Sequence, residues 1–247
     1  NAIVGFSSML KESTEKEEEK NSYINTIISC SDQLLHIIDD ILDISKIEAG
    51  VVQLNYSNVN VNKLLDNLCA FYTPITKENG LALMCIKGLS DNDCIIKTDK
   101  TKLHQILTNL LSNALKFTEK GSIELGYQLK NKYLKFYVKD TGIGIDKKLH
   151  TKIFDRFIQA DLDLNKQKKG TGLGLAISKK FIELFKGEMW LDSDNQGTKV
   201  FFTVPYNQVK KPIIDTVIEK EIKENILTKD FGWLYVISAI FGLFGEN

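Results

Sequence analysis

The chain has few of the residues that interrupt regular structure: three prolines and sixteen glycines among 247 residues. That scarcity argues against a long disordered tract. Its cysteines, Cys30, Cys69, Cys85 and Cys94, form no Cys-x-x-Cys pair and have no interleaved histidine at zinc spacing. A zinc site is therefore not indicated, and reduced thiols of a cytosolic chain are expected. Neither sign of charge prevails, because 32 basic residues face 32 acidic ones, so no global field favours nucleic acid. Residues 1–30 lack the order of basic, apolar and small residues that marks a signal peptide. The sequence opens on Asn1 inside a helical pattern, which suggests a piece of a longer protein. What remains, 43% apolar and 26% charged, suits a soluble globular protein of one large domain or one and a half ordinary ones.

Ile3, Val4, Phe6, Met9 and Leu10 make a short helical stripe that ends near Ser13. After a charged stretch, Ile24, Ile27, Ile28, Leu34, Leu35, Ile38, Ile41 and Leu42 recur at intervals of three and four, the seam of a helix bundle. Ile37 and Ile44 widen that stripe to the width of a four-helix bundle, and Gly50 closes it. A hairpin of two helices cannot bury so wide a stripe alone, so a second copy of the chain is expected to complete four helices. Packing on the chain's own second domain is the competing reading.

From Val51 the period changes. Val52, Leu54 and Tyr56 alternate as a strand, and Val59–Asn79 reads as a helix. Short β-rich runs follow at 81–87 and 94–97, then Asp99 as the N-cap of a helix reaching 117. Ser122–Leu129 and Tyr133–Lys139 form a hairpin, a helix is expected near 146–158, and Glu188–Asp192 and Lys199–Val204 are the last strands. The irregular mixture gives an α+β chain: an α/β sandwich, a mixed sheet with helices on one face, preceded by the hairpin of a dimeric four-helix bundle.

Three stretches carry chemistry. Gly170-Thr171-Gly172-Leu173-Gly174-Leu175 runs straight into a helix, whose free amides and positive dipole end can hold phosphate. Asp140-Thr141-Gly142-Ile143-Gly144-Ile145 follows a strand. Its carboxylate can accept from an exocyclic amine such as that of adenine, beside an apolar wall of Ile143 and Ile145. Asn109, Asn113 and Lys116 share one helical face. Amide oxygens beside an ammonium suit a magnesium-bound phosphate chain.

Leu107–Phe117, Asp140–Ile145, Ile153-Phe154-Asp155-Arg156-Phe157, Gly170–Leu175 and Gly197-Thr198, in this order, resemble the motifs of the ATP-binding domain of sensor histidine kinases. The resemblance covers roughly residues 51–206, and residues 1–50 resemble the family's dimerisation and histidine-phosphotransfer hairpin; residues 207–247 would be a tail. It implies ATP and Mg²⁺ as cofactors. Asn113 would be the metal ligand, Asn109 and Lys116 would face the phosphates, and Asp140 would bind adenine with Gly142, Gly144 and Ile145 around the base. Residues 158–169 would form a mobile lid, begun by Phe154 and Phe157 and carrying Lys166 toward the γ-phosphate. Gly170, Thr171, Gly172, Leu173, Gly174 and Leu175 would be the lid's hinge, and Thr198 of the last small motif would be among the ATP-binding residues; Gly172→Ala is then expected to weaken ATP binding and leave the fold intact.

The family resemblance further implies a homodimer, a response-regulator receiver domain as partner, and a cytoplasmic location with any membrane attachment in parts outside this chain. The departures are specific. The acceptor histidine would fall just before Asn1, and His36, His104 and His150 do not match it, so the chain is expected not to phosphorylate its usual acceptor. Lys169 stands where many relatives have glycine. Phe231–Phe244 is an apolar run of fourteen residues, short of the roughly 20 that span a bilayer, and its role stays open. Two rivals remain: a non-catalytic dimeric scaffold, and an ATPase of the gyrase and chaperone type. The latter is disfavoured because Asn109, which cannot act as a base, holds the position of the water-activating glutamate in those relatives.

Overall fold

A computed structural model of the chain describes residues 2–12, 17–158 and 171–209. Helices α1 (Ala2–Glu12) and α2 (Glu17–Glu48) form the hairpin, with the Phe6 and Tyr23 rings 5.8 Å apart across it. The helix α2 closes as the motif of its Gly50 requires: Gly50 N–H donates to Ile47 O and Val51 N–H to Lys46 O, at 3.0 and 3.1 Å. The two readings of its apolar stripe share it. Ile44 and Ile47 pack against the core of the chain's own second domain. Ile24, Ile28, Leu34, Leu35, Ile38, Ile41 and Leu42 stay between 40% and 60% exposed.

Residues 51–56 are extended but unladdered, a correction to the strand expected there. Val52 and Leu54 do turn inward. The available partner, β3 (Ile95–Thr98), is only four residues long and pairs instead with β1 (Ser57–Asn60). Asn55 N–H goes to the Asp99 carboxylate at 2.8 Å. Asn60 caps α3 (Val61–Glu78) by accepting from Lys63 N–H, and Asp99 caps α4 (Lys100–Phe117) by accepting from Lys102 N–H, each satisfying a donor that the first turn leaves free.

The main sheet has five strands in the order β2-β4-β5-β7-β6. These are β2 (Leu81–Ile86), β4 (Gly121–Lys130), β5 (Tyr133–Asp140), β6 (Met189–Asp194) and β7 (Gly197–Pro205). β2 runs parallel to β4; the other pairs are antiparallel. Alternation sends Ile123, Leu125, Tyr127, Leu134, Phe136, Phe202 and Val204 to one face, all buried. There they meet Leu64, Leu65 and Leu68 of α3, Leu103, Ile106, Leu107, Leu110 and Leu111 of α4, and Ile177, Phe181 and Ile182 of α5 (Gly174–Leu184). Phe136 stacks on Phe202 with centroids 4.9 Å apart. This is the mixed sheet with helices on one face.

The helix expected near 146–158 is replaced by two 3₁₀ turns, Lys147–Leu149 and Lys152–Phe154. Only Ile153 and Phe154 are buried in that span, so no continuous apolar stripe holds a longer helix in place. Among the described residues no helix is long and apolar enough to cross a membrane. The polar segment up to Gly170, with Lys166 and Lys169, lies outside the described residues, as do residues 210–247.

Candidate functional site

The leucines of α4 bury one side of the helix and leave Asn109, Asn113 and Lys116 on another, half-buried. Asn109 is held rather than free: its Nδ2 donates to Ser178 Oγ of α5 at 2.9 Å, and Ser178 is itself buried. Asn113 Nδ2 lies 3.5 Å from Asn109 Oδ1, which leaves the Asn113 amide oxygen open among the described residues. Lys116 has no carboxylate partner among the described residues, its ammonium lies 5.1 Å from the Phe117 ring, and burial lowers its pKa. A half-buried cation without a counter-ion is a site for an anion.

At the end of α4, Ile143 N–H reaches Phe117 O at 3.4 Å, which ties the first glycine loop to this helix. Asp140, 9% exposed, accepts from Gly142 N–H at 2.8 Å and from Thr198 N–H at 3.3 Å, both on Oδ1. Its second oxygen has no donor among the described residues. Burial raises the Asp140 pKa, and the two amide donors pull against that shift. Thr198 thus stands beside Asp140. Ile145 is half-buried and its N–H donates to Ser193 Oγ at 2.9 Å. Ser193 also donates to Gly197 O at 2.8 Å, and its hydroxyl lies 2.9 Å from that of Thr198. Ser193 and Ser178 escaped the sequence reading because a lone serine in a strand or helix carries no spacing signal.

The glycines gain a reason that the sequence did not show. Gly144 has φ of +73°, and a Cβ there would run into the Asp194 carbonyl; the loop is pressed onto the β6–β7 turn. Gly172 has φ of +70°, and a Cβ would come within 2.9 Å of the Phe157 backbone, whose N–H donates to Gly172 O at 3.0 Å. That corrects the expectation that Gly172→Ala leaves the fold intact: the loop is seated at this point. Phe154 is buried, whereas the Phe157 side chain is 70% exposed and its backbone meets Gly172.

Thr171 Oγ accepts from Leu173 N–H and donates to Asp40 of α2, both at 3.1 Å. Leu173 is buried and Leu175 half-buried, and Gly174 begins α5 against Asn109. Among the described residues no side chain caps α5, which leaves its first amides as free donors beside Asn109. Gly170 and Lys166 lie outside the described residues. Among the described residues no three His, Cys, Asp or Glu side chains are grouped so that they could hold a metal ion.

The hairpin grips this end of the domain through three carboxylates that sequence reading did not flag. Asp40 holds Thr171, Asp43 takes Gln105 at 2.7 Å and Lys102 at 3.4 Å, and Glu48 pairs with Arg156. Burial raises the Asp40 pKa, while the Thr171 bond lowers it. A cavity of about 310 Å³ lies along this seam, lined by Ile44, Ile47, Phe154, Arg156, Ala176 and Lys179. It faces the side of α5 opposite Ser178, so it is separate from the Asn109–Asp140 cluster.

Two family models match the chain. Residues 1–50 match the His Kinase A (phospho-acceptor) domain. Residues 98–208 match the histidine kinase-, DNA gyrase B- and HSP90-like ATPase. The chain is 35% identical over 212 residues to the autoinducer 2 sensor kinase/phosphatase LuxQ of Vibrio vulnificus, covering 83% of this chain and 24% of that protein. It is 39% identical over 198 residues to the sensor protein GacS of Pseudomonas syringae pv. syringae, covering 78% of this chain and 22% of that one. Among solved structures, full-length ShkA in complex with AMPPNP aligns with a TM-score of 0.69 at 26% identity, over 85% of this chain and 44% of that one. The chain thus spans about a quarter of the length of these curated relatives. With a phospho-acceptor-type hairpin feeding an α/β sandwich whose boxes meet at one end of the sheet, the chain belongs to the sensor histidine kinases.

Proposed function

We propose that this chain binds Mg²⁺–ATP and, within its whole protein, supplies the γ-phosphoryl group for a histidine on the dimerisation hairpin. The observation that carries this is the convergence at one end of the sheet of an acceptor oxygen, an amide oxygen and an ammonium, each without a partner for that role among the described residues. Asp140 Oδ2 would accept from the adenine amine while Oδ1 stays fixed by two backbone donors. The Asn113 amide oxygen would ligate Mg²⁺, with Asn109 locked by Ser178 as its brace. Lys116 and the uncapped α5 amides would hold phosphate oxygens. The metal, when bound, neutralises phosphate charge, and positioning supplies most of the remaining catalysis in such transfers.

Titration of ATP with and without Mg²⁺ tests this. Wild type should bind Mg²⁺–ATP, and Asn113→Ala should remove most of the Mg²⁺ dependence; no binding by wild type under either condition would overturn the proposal. The histidines present are not proposed as acceptors: His104 meets Thr108, His150 meets the Ile145 carbonyl, and His36 lies midway along α2. The chain alone should therefore form no acid-labile phosphate, and phosphohistidine on any of these three would contradict that.

The uncovered part of the α2 stripe supports a homodimer completed by a second hairpin, and family membership supports a receiver domain as the next phosphoryl acceptor. Leu35→Glu with Ile38→Glu places two charges in the stripe. Sedimentation should show a dimer for wild type and a monomer for the double variant; a wild-type monomer at high concentration would sink the bundle.

A further inference from the structure

Ser193 stands on β6 in step with Met189, which packs against the core. It is 6% exposed, and its hydroxyl joins three segments. It donates to Gly197 O across the β6–β7 turn at 2.8 Å and accepts from Ile145 N–H of the first glycine loop at 2.9 Å. The Thr198 hydroxyl lies 2.9 Å away. Around this serine the loop and the turn press together from both sides. A Cβ on Gly144 would run into the Asp194 carbonyl, and one on Gly197, whose φ is +141°, would run into the Asp140 carbonyl.

Counting hydrogens fixes the direction of the one contact that distance leaves open. A hydroxyl has one hydrogen and two lone pairs. A carbonyl can only accept, so the Ser193 hydrogen is spent on Gly197 O. Thr198 is then the donor to Ser193, and Ser193 is filled, with one bond given and two accepted. Thr198 keeps its lone pairs and has no hydrogen left to give. No other donor reaches its hydroxyl among the described residues, while its backbone N–H holds Asp140 Oδ1 at 3.3 Å. Asp140 Oδ2 and Thr198 Oγ1 therefore make one socket of two acceptors without a donor.

We propose that Ser193 is a positioning residue that sets the base specificity of this socket: by taking the Thr198 hydrogen it keeps that hydroxyl an acceptor, so that a 6-aminopurine is taken and a 6-oxopurine rejected. The inference rests on the adenine reading of Asp140 given above. An exocyclic amine has two hydrogens for the two acceptors, given directly or through one water. A carbonyl in the same place sets lone pairs against lone pairs, and no hydroxyl here can turn to meet it. A site built on hydrogen bonds discriminates strongly against a group that leaves its buried polar atoms unpaired. Without Ser193 the Thr198 hydrogen is released, and the hydroxyl can turn and donate to the carbonyl.

The test titrates the full chain with Mg²⁺–ATP and with Mg²⁺–inosine triphosphate, which carries a carbonyl in place of the amine. Wild type should prefer ATP. Ser193→Ala should lower the ratio of the two affinities by roughly fivefold, the worth of one neutral hydrogen bond. Thr198→Val keeps the backbone N–H and the branched shape but removes the hydroxyl, and it reads the same step if Ser193→Ala does not fold. It should lower the ratio too, and adding Ser193→Ala to it should change the ratio no further. A merely structural serine would weaken both nucleotides alike. An unchanged ratio in either single variant would overturn the proposal and leave the adenine reading standing. A wild type that binds both nucleotides equally, or neither, would remove that reading and this proposal together.

Discussion

Asp140→Asn is expected to weaken Mg²⁺–ATP binding by roughly 100-fold, the scale set by about 1.5–3 kcal/mol for a hydrogen bond to a charged group. The substitution isolates one oxygen. The asparagine carbonyl can keep the Gly142 and Thr198 amides that now bond Oδ1, while an NH₂ group replaces the oxygen left open. A donor then faces a donor. The pH dependence carries the same signature: burial raises the Asp140 pKa, so the carboxylate is lost on acidification earlier than an ordinary one. The ratio of wild-type to variant affinity should shrink across that window. The sign for stability is opposite. A raised folded-state pKa stabilises below the unfolded value, and that contribution is lost as pH rises through the folded one. At neutral pH the variant should therefore melt no lower than wild type. Equal affinity in both proteins, measured by calorimetric titration, would remove Asp140 from the site.

Gly144→Ala should lower stability by about 3 kcal/mol, since left-handed backbone costs an alanine about 1–2 kcal/mol and overpacking adds a similar amount. For a chain of this size that is a fall in Tm of roughly 6–12 °C. The strain is local and specific: φ is +73° and the new methyl would meet the Asp194 carbonyl. Because Ser193 and Thr198 flank that turn, the Asp140 socket should be disturbed with it. Ile143→Ala, at a side chain 42% exposed, is the control and should shift Tm little. An unchanged melting curve for Gly144→Ala would show that the loop is not pressed onto the turn.

Periodicity made the long elements legible. The leucines of α4 and the alternation of β4 and β5 leave one way to bury them, and the polar face with Asn109, Asn113 and Lys116 follows from the same arithmetic. Asp99 and Gly50 were legible because caps have chemistry of their own. The misses have equally physical causes. Val52–Tyr56 has the pattern of a strand, but a ladder needs a partner with free groups, and β3 is spent on Ser57–Asn60. The family resemblance implies Phe157 as a lid anchor, yet its backbone takes a φ of +61° and its ring is exposed. The seats of Gly144 and Gly172, the brace from Ser178 and the three carboxylates of α2 depend on segments far apart in the chain. No local window contains them.

That remoteness also sets an order of events. Asp140 and Thr198 are 58 residues apart and Asp40 and Thr171 are 131 apart, so closing either contact costs loop entropy that nothing returns until the sheet has formed. The β4–β5 hairpin is local and can precede them; the acceptor socket and the hairpin's grip are completed last. A ligand held there meets only the finished molecule, and at a hundred times its Kd it adds about 2.7 kcal/mol to unfolding. Nucleotide supplied during refolding should therefore raise the yield of native chain without accelerating the early phase.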